Sequence, residues 1–175
     1  MKISSDSSSE FIRQSDLEEM ARQREIDRVC SVAIKYIGIS TKSSGRIREY
    51  LRKQEIELWQ IEEALQDLQR RGYLDDQAVA ARIARQRTGR RAVSQKAMRY
   101  YMQAAGLPDS VINDFSEQLP SDCETARQAL LGKFPTPEIA QRARMIRFLG
   151  SRGYGSGVAA RTVAEYLDSI HDNDE

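Results

Sequence analysis

Residues 97–108, AMRYYMQAAGLP, set apolar side chains at Met98, Tyr101, Met102 and Ala105, then break at Gly106-Leu107-Pro108. That spacing is one face of a helix followed by a stop. The signature occurs twice more. RIREYLRKQEI (46–56) carries Ile47, Tyr50 and Leu51 and turns at Glu55-Ile56. RARMIRFLGSRGY (142–154) carries Met145, Phe148 and Leu149 and turns at Gly153-Tyr154. In each copy an apolar residue follows the turn position and can plug the junction between two helices. A period of about fifty residues is that of a helical repeat. So short a unit cannot bury its face alone, so neighbours stack. The expected fold is all-α, three tandem three-helix repeats in an elongated, curved array.

The remaining helices follow outward from these three. Residues 1–14 are serine-rich and are expected to be a disordered tail. Ser15 and Glu18 have capping-box spacing, and the helix they open packs through Val29, Cys30, Ala33, Tyr36 and Ile37 until Gly38. Ile61, Ala64, Leu65 and Leu68 make the next stripe, stopped at Gly72. Asp75 is a candidate N-cap, with Leu74 and Val79 at hydrophobic-staple positions, for a helix through Ala80, Ile83 and Ala84 that fades near Thr88-Gly89. Ser94 is the next N-cap. Val111, Ile112, Phe115 and Leu119 form a short helix before Pro120. A helix over about 122–134, a hinge at Pro135-Thr136-Pro137 and a final helix pair complete the chain. The expected divisions are 15–74, 75–120 and 121–169, with an acidic tail at 170–175.

Charge is distributed less evenly than composition suggests. The net formal charge is +1. Yet from Gln77 to Pro108 there is no acidic residue, while Arg82, Arg85, Arg87, Arg90, Arg91, Lys96 and Arg99 all lie there. Arg142, Arg144, Arg147 and Arg152 add a second group. One-sided charge speaks of partners rather than of fold. These eleven residues are the candidate partner-binding set, for an acidic protein surface or a nucleic acid. Tyr101 is expected in the core and Tyr100 part-exposed, where it can stack on a base.

Several classes are disfavoured. His171 is the single histidine, near the C-terminal end, without a serine or cysteine partner, so no catalytic residue is assigned. No zinc-ligand spacing occurs, and no metal or cofactor is expected. GSRGYGSG (150–157) follows a helix and no lysine succeeds it, so it is a turn and not a phosphate loop. Cys30 and Cys123 are isolated and are expected to be small core residues. MKISSDSSSE has no apolar core of a signal peptide, and no run is long enough to span a membrane. A cytoplasmic protein with reduced thiols is expected. Major-groove reading is disfavoured too, because the second helices carry Glu57, Glu62, Glu63 and Asp67, or Asp109, Asp114 and Glu117.

GYLDD (72–76), the basic helix behind it, RTGRRAVSQKAMRYYMQAAGL (87–107) and MIRFLGSRGY (145–154) together resemble the RecX family, bacterial modulators of the RecA recombinase. The resemblance spans residues 26–168. It implies three tandem three-helix repeats and no enzymatic activity. It implies binding along the RecA nucleoprotein filament, in its helical groove, usually with suppression of ATP hydrolysis and strand exchange. Some members also touch DNA, single- or double-stranded, and non-specific DNA binding through the basic residues is the alternative function. On this reading the eleven cations meet acidic RecA surface and the DNA inside the filament, and the protein is a monomer.

Overall fold

The structure is a computed structural model that describes the backbone of residues 6–38 and 40–171 and the side chains of 14–38 and 40–169. The described residues are all-helical: α1 (Asp6–Ile37), α2 (Ser44–Arg52), α3 (Leu58–Arg70), α4 (Asp76–Arg85), α5 (Gln95–Ala104), α6 (Asp109–Ser116), α7 (Asp122–Lys133), α8 (Arg142–Gly150) and α9 (Ser156–His171). Short 3-10 turns at Gly89–Arg91 and Ile139–Gln141 precede α5 and α8.

Residues through Asp75 form one compact unit, and Asp76 onward forms a second. In the first, α1, α2 and α3 pack pairwise. Their stripes close over Val29, Cys30, Ala33, Ile47, Leu51, Ile61 and Leu68. Burying each large aliphatic side chain contributes about 1.5–3 kcal/mol, more than helix propensity supplies, so the stripe decides these helices. Burial, and then the nearby Asp67 carboxylate, pushes the Cys30 thiol up to about 11.

The second unit holds two helix triads. Helices α4, α5 and α6 enclose Val79, Ala80, Ile83, Met98, Met102, Leu107 and Ile112. Helices α7, α8 and α9 enclose Ala126, Leu130, Met145, Leu149, Val163 and Tyr166. Close backbone approaches join the triads. Ala92 is buried in the α7–α9 core. The Ser94 N–H donates to the Arg152 carbonyl at 3.2 Å. The Gln95 N–H donates to Asp122 Oδ1 at 2.7 Å. At Gly132 the chain is so close that a Cβ would lie 2.6 Å from Cβ of Arg90.

The matched turns are alike in backbone as well as in sequence. Glu55, Gly106 and Gly153 have φ of 58°, 77° and 86°. The N–H after the turn reaches back to the carbonyl of the last core residue, Leu107 to Met102 at 3.1 Å and Tyr154 to Leu149 at 3.3 Å. Left-handed backbone is the reason for glycine in the two later copies. Glu55 is the one non-glycine residue with positive φ among those described. Glu55→Gly is therefore expected to raise the stability of the first unit by up to about 1 kcal/mol, relief of left-handed strain offset by unfolded-chain entropy. Chemical denaturation measures it, and a loss would show that the glutamate side chain earns its place.

Some expectations are corrected. Residues 6–14 belong to α1 rather than to a tail, and Ser15 lies inside that helix instead of capping it. Once nucleated, a helix extends through residues free of glycine and proline at little cost. Residues 1–5 and 172–175 lie outside the described residues, while Ile170 and His171, assigned to the acidic tail, belong to α9. Ser94 does cap α5, accepting from the Ala97 N–H at 3.1 Å. Cys123 is half-buried, not a core residue, because it stands in the exposed first turn of α7. There Arg161 Nη2 donates to its Sγ at 2.8 Å.

Candidate partner-binding surface

All eleven candidate cations lie in the second unit. What sets them apart is that the stretches carrying them, 77–108 and 139–164, hold no acidic residue. In the first unit, Arg22 pairs with Glu63, Arg48 with Glu62 at 2.7 Å, Lys53 with Glu49 at 3.0 Å, and Arg71 with Asp67 at 2.7 Å. Arg48 holds the Glu62 carboxyl below its ordinary range. In the second unit, Arg161 pairs with Glu165 at 3.9 Å, outside the candidate set. With no acidic residue over 77–108, the exposed Arg85, Arg90 and Arg91 present guanidinium donors suited to a carboxylate or phosphate.

The candidates divide by what they touch. Arg85, Arg90, Arg91, Lys96, Arg142 and Arg147 are exposed. Arg82 is exposed on α4. Arg90 and Arg91 project from the 3-10 turn held against Gly132. Arg144 is exposed, with its guanidinium 5.7 Å from the Phe134 ring centre. Three others serve the fold. Arg99 is half-buried and donates to Ser116 Oγ at 2.9 Å and Asn113 Oδ1 at 2.8 Å, tying α5 to α6. Arg87 donates to the Ile83 carbonyl at 3.1 Å and lies 3.7 Å over the Tyr101 ring. Arg152 lies 4.5 Å over Phe148.

Arg99→Ala is accordingly expected to lower the stability of the second unit by about 1–2 kcal/mol, as loss of a charged donor from two neutral acceptors should. Partner affinity should fall little. Urea denaturation beside a binding titration separates the two, and lost binding at unchanged stability would return Arg99 to the contact surface.

Two concavities lie beside these cations among the described residues of the second unit. Lys96, Tyr100, Tyr101, Ser151 and Arg152 line the wider one. Tyr101 is corrected here: it is 38% exposed and Tyr100 is 66% exposed, so both rings are at the surface. The middle aromatic of the repeated signature sits at the edge of each core and finds a flat partner. Tyr50 stacks on Tyr36 at 3.8 Å, Tyr101 lies under Arg87, and Phe148 lies under Arg152. Arg85 and Arg87 stand at the second concavity, an apolar cavity of about 290 Å³. Arg142, Arg144 and Arg147 on α8 line neither. The sequence reading placed Phe115 and Leu119 on a packing face and missed the cavity they border. The one signal was that the apolar spacing of α6 runs on to Leu119, beyond the end of the helix.

Among the described residues no cluster of three or more histidine, cysteine or acidic side chains could hold a metal ion, and no helix is long and apolar enough to cross a membrane.

No family model matches the chain. A regulatory protein RecX of Leptothrix cholodnii is 30% identical over 145 residues, covering 81% of this chain and 90% of that protein. A regulatory protein RecX of Prosthecochloris aestuarii is 30% identical over 141 residues, covering 77% of this chain and 91% of that protein. The fold matches the crystal structure of RecX from Lactobacillus salivarius with a TM-score of 0.62 at 15% identity, over 82% of this chain and 97% of that one. Sequence relatives matched along nearly their full length, with the same helical fold, place the chain in the RecX family of regulatory proteins.

Proposed function

We propose that the protein binds the RecA nucleoprotein filament through the exposed cations of its second unit and lowers the filament's ATP hydrolysis and strand exchange. The observation that carries this reading is the contrast in pairing. Arg22, Arg48, Lys53 and Arg71 of the first unit are engaged by carboxylates, whereas Arg85, Arg90, Arg91 and Lys96 are exposed in a stretch that holds no acidic residue. Such a surface favours an anionic partner and speeds encounter with it. The test is the ATPase rate of RecA on single-stranded DNA while the protein is added well below one per RecA subunit. The rate should fall at those low ratios, because a filament-bound regulator acts on many subunits. No effect until the DNA is coated would replace this reading with direct DNA binding.

The wider concavity favours that second reading. Lys96 beside the exposed Tyr100 ring offers a phosphate contact next to a stacking face. Binding through about five phosphate contacts would give a slope of log affinity against log salt of about −4 to −5. A flat salt dependence on naked DNA would discount it.

A further inference from the structure

The apolar cavity of the second unit is not used by the packing just described. Its floor is Ala84, Val93, Met98, Phe115, Leu119 and Pro120, contributed by α4, α5, α6 and the segments beside them. Phe115 and Leu119 are only half-buried, so apolar surface stays wet in a place where the fold had side chains to cover it. The charged residues of the lining are Arg85 and Arg87, and every other lining residue is uncharged. The nearest carboxylates in sequence to its α7 wall are already engaged: Asp122 accepts from the Gln95 N–H at 2.7 Å and Glu124 from the Ser121 N–H at 2.8 Å. An apolar floor under a purely cationic rim selects for one chemistry, a bulky apolar group flanked by carboxylates.

We propose that this cavity receives a single large apolar side chain from an acidic protein segment, with the exposed Arg85, and the donors of Arg87 that the Ile83 carbonyl leaves over, holding carboxylates beside it. A cavity of about 290 Å³ lies at the small end of ligand sites and suits an anchoring side chain better than an extended cofactor. A nucleic acid fits less well, because the floor offers carbon where base edges need hydrogen-bond partners. The inference rests on the reading of an anionic protein partner, but its test uses this chain alone, so failure here leaves the filament reading standing.

The experiment is methyl NMR of the full chain labelled at methionine, titrated with a blocked pentapeptide of sequence DEFDE. Met98 is on the cavity floor and is the reporter. The Met98 signal should shift with saturation. The alanine version, DEADE, should bind about ten-fold more weakly, the worth of one buried aromatic side chain. The basic version, KKFKK, should leave Met98 unmoved. Arg85→Glu, an exposed substitution, should weaken DEFDE several-fold without altering the other methionine signals. Ala84→Trp, which fills the cavity, should abolish binding; if that variant does not fold, the Arg85→Glu result and the peptide series decide alone. Equal binding of DEFDE and DEADE would overturn the anchor. No shift with DEFDE, or displacement of the peptide from Met98 by a short oligothymidylate, would overturn the acidic-segment assignment.

Discussion

Gly153→Ala should destabilise the second unit by about 2–5 kcal/mol. Two separate costs combine. The residue has φ of 86°, where an L side chain costs about 1–2 kcal/mol. The added Cβ would also lie 2.7 Å from Ser94 Oγ and 2.9 Å from the Ala97 Cβ. Ser94 is fully buried and caps α5, so it cannot retreat into solvent, and such overpacking costs about 1–3 kcal/mol. One methyl group therefore strains the α8–α9 turn and the start of α5 together. Gly157→Ala is the control, since nothing lies within 4 Å of its added Cβ, its φ is ordinary and it is inside α9. That change should be neutral or stabilise by up to about 1 kcal/mol. Urea denaturation of the two variants measures the difference. Equal stabilities would mean the close approach of the Gly153 turn to α5 is wrong.

Simultaneous reversal of Arg85, Arg90 and Arg91 to glutamate should abolish binding to the RecA filament while leaving helicity and melting intact. All three are exposed, and none has a described carboxylate partner to lose. Surface changes of this kind usually alter stability by no more than about 0.5 kcal/mol. Each charge-assisted contact contributes about 1.5–3 kcal/mol, so losing three weakens binding by about a thousand-fold or more. Lys53→Glu is the matched control, because it reverses a charge already paired in the first unit. A filament pull-down with circular dichroism reads both quantities. Binding unchanged in the triple variant would remove the 82–99 stretch from the interface.

These two experiments differ in how far the sequence alone foresaw them. Glycine at 106 and 153, set behind matched apolar triplets, already marked equivalent turns, and the left-handed φ is its local cause. The Ser94 cap was legible for the same reason, being fixed by residues three apart. That Gly153 also lies against Ala97, or Gly132 against Arg90, was not legible, because nothing near either glycine encodes a neighbour that far along the chain. Of the cations, the sequence named all eleven but could not sort them. Arg99 and Arg85 look alike in a row of letters. Only in space does one meet Ser116 and Asn113 while the other stands at the mouth of a cavity.

The sequence by itself determined the helices, their stops, the threefold recurrence of Ile47, Met98 and Met145 with their followers, and the isolation of positive charge in one stretch. Those are properties of residues within a turn or two of each other, where spacing alone sets which side chains share a face. The tertiary structure decided the length of α1, the joining of the last two triads into one unit, the surface position of Tyr101 and the open cavity bordered by Phe115 and Leu119. Each depends on which surfaces meet after the helices form, and a helical stripe records that a face is apolar without recording what covers it.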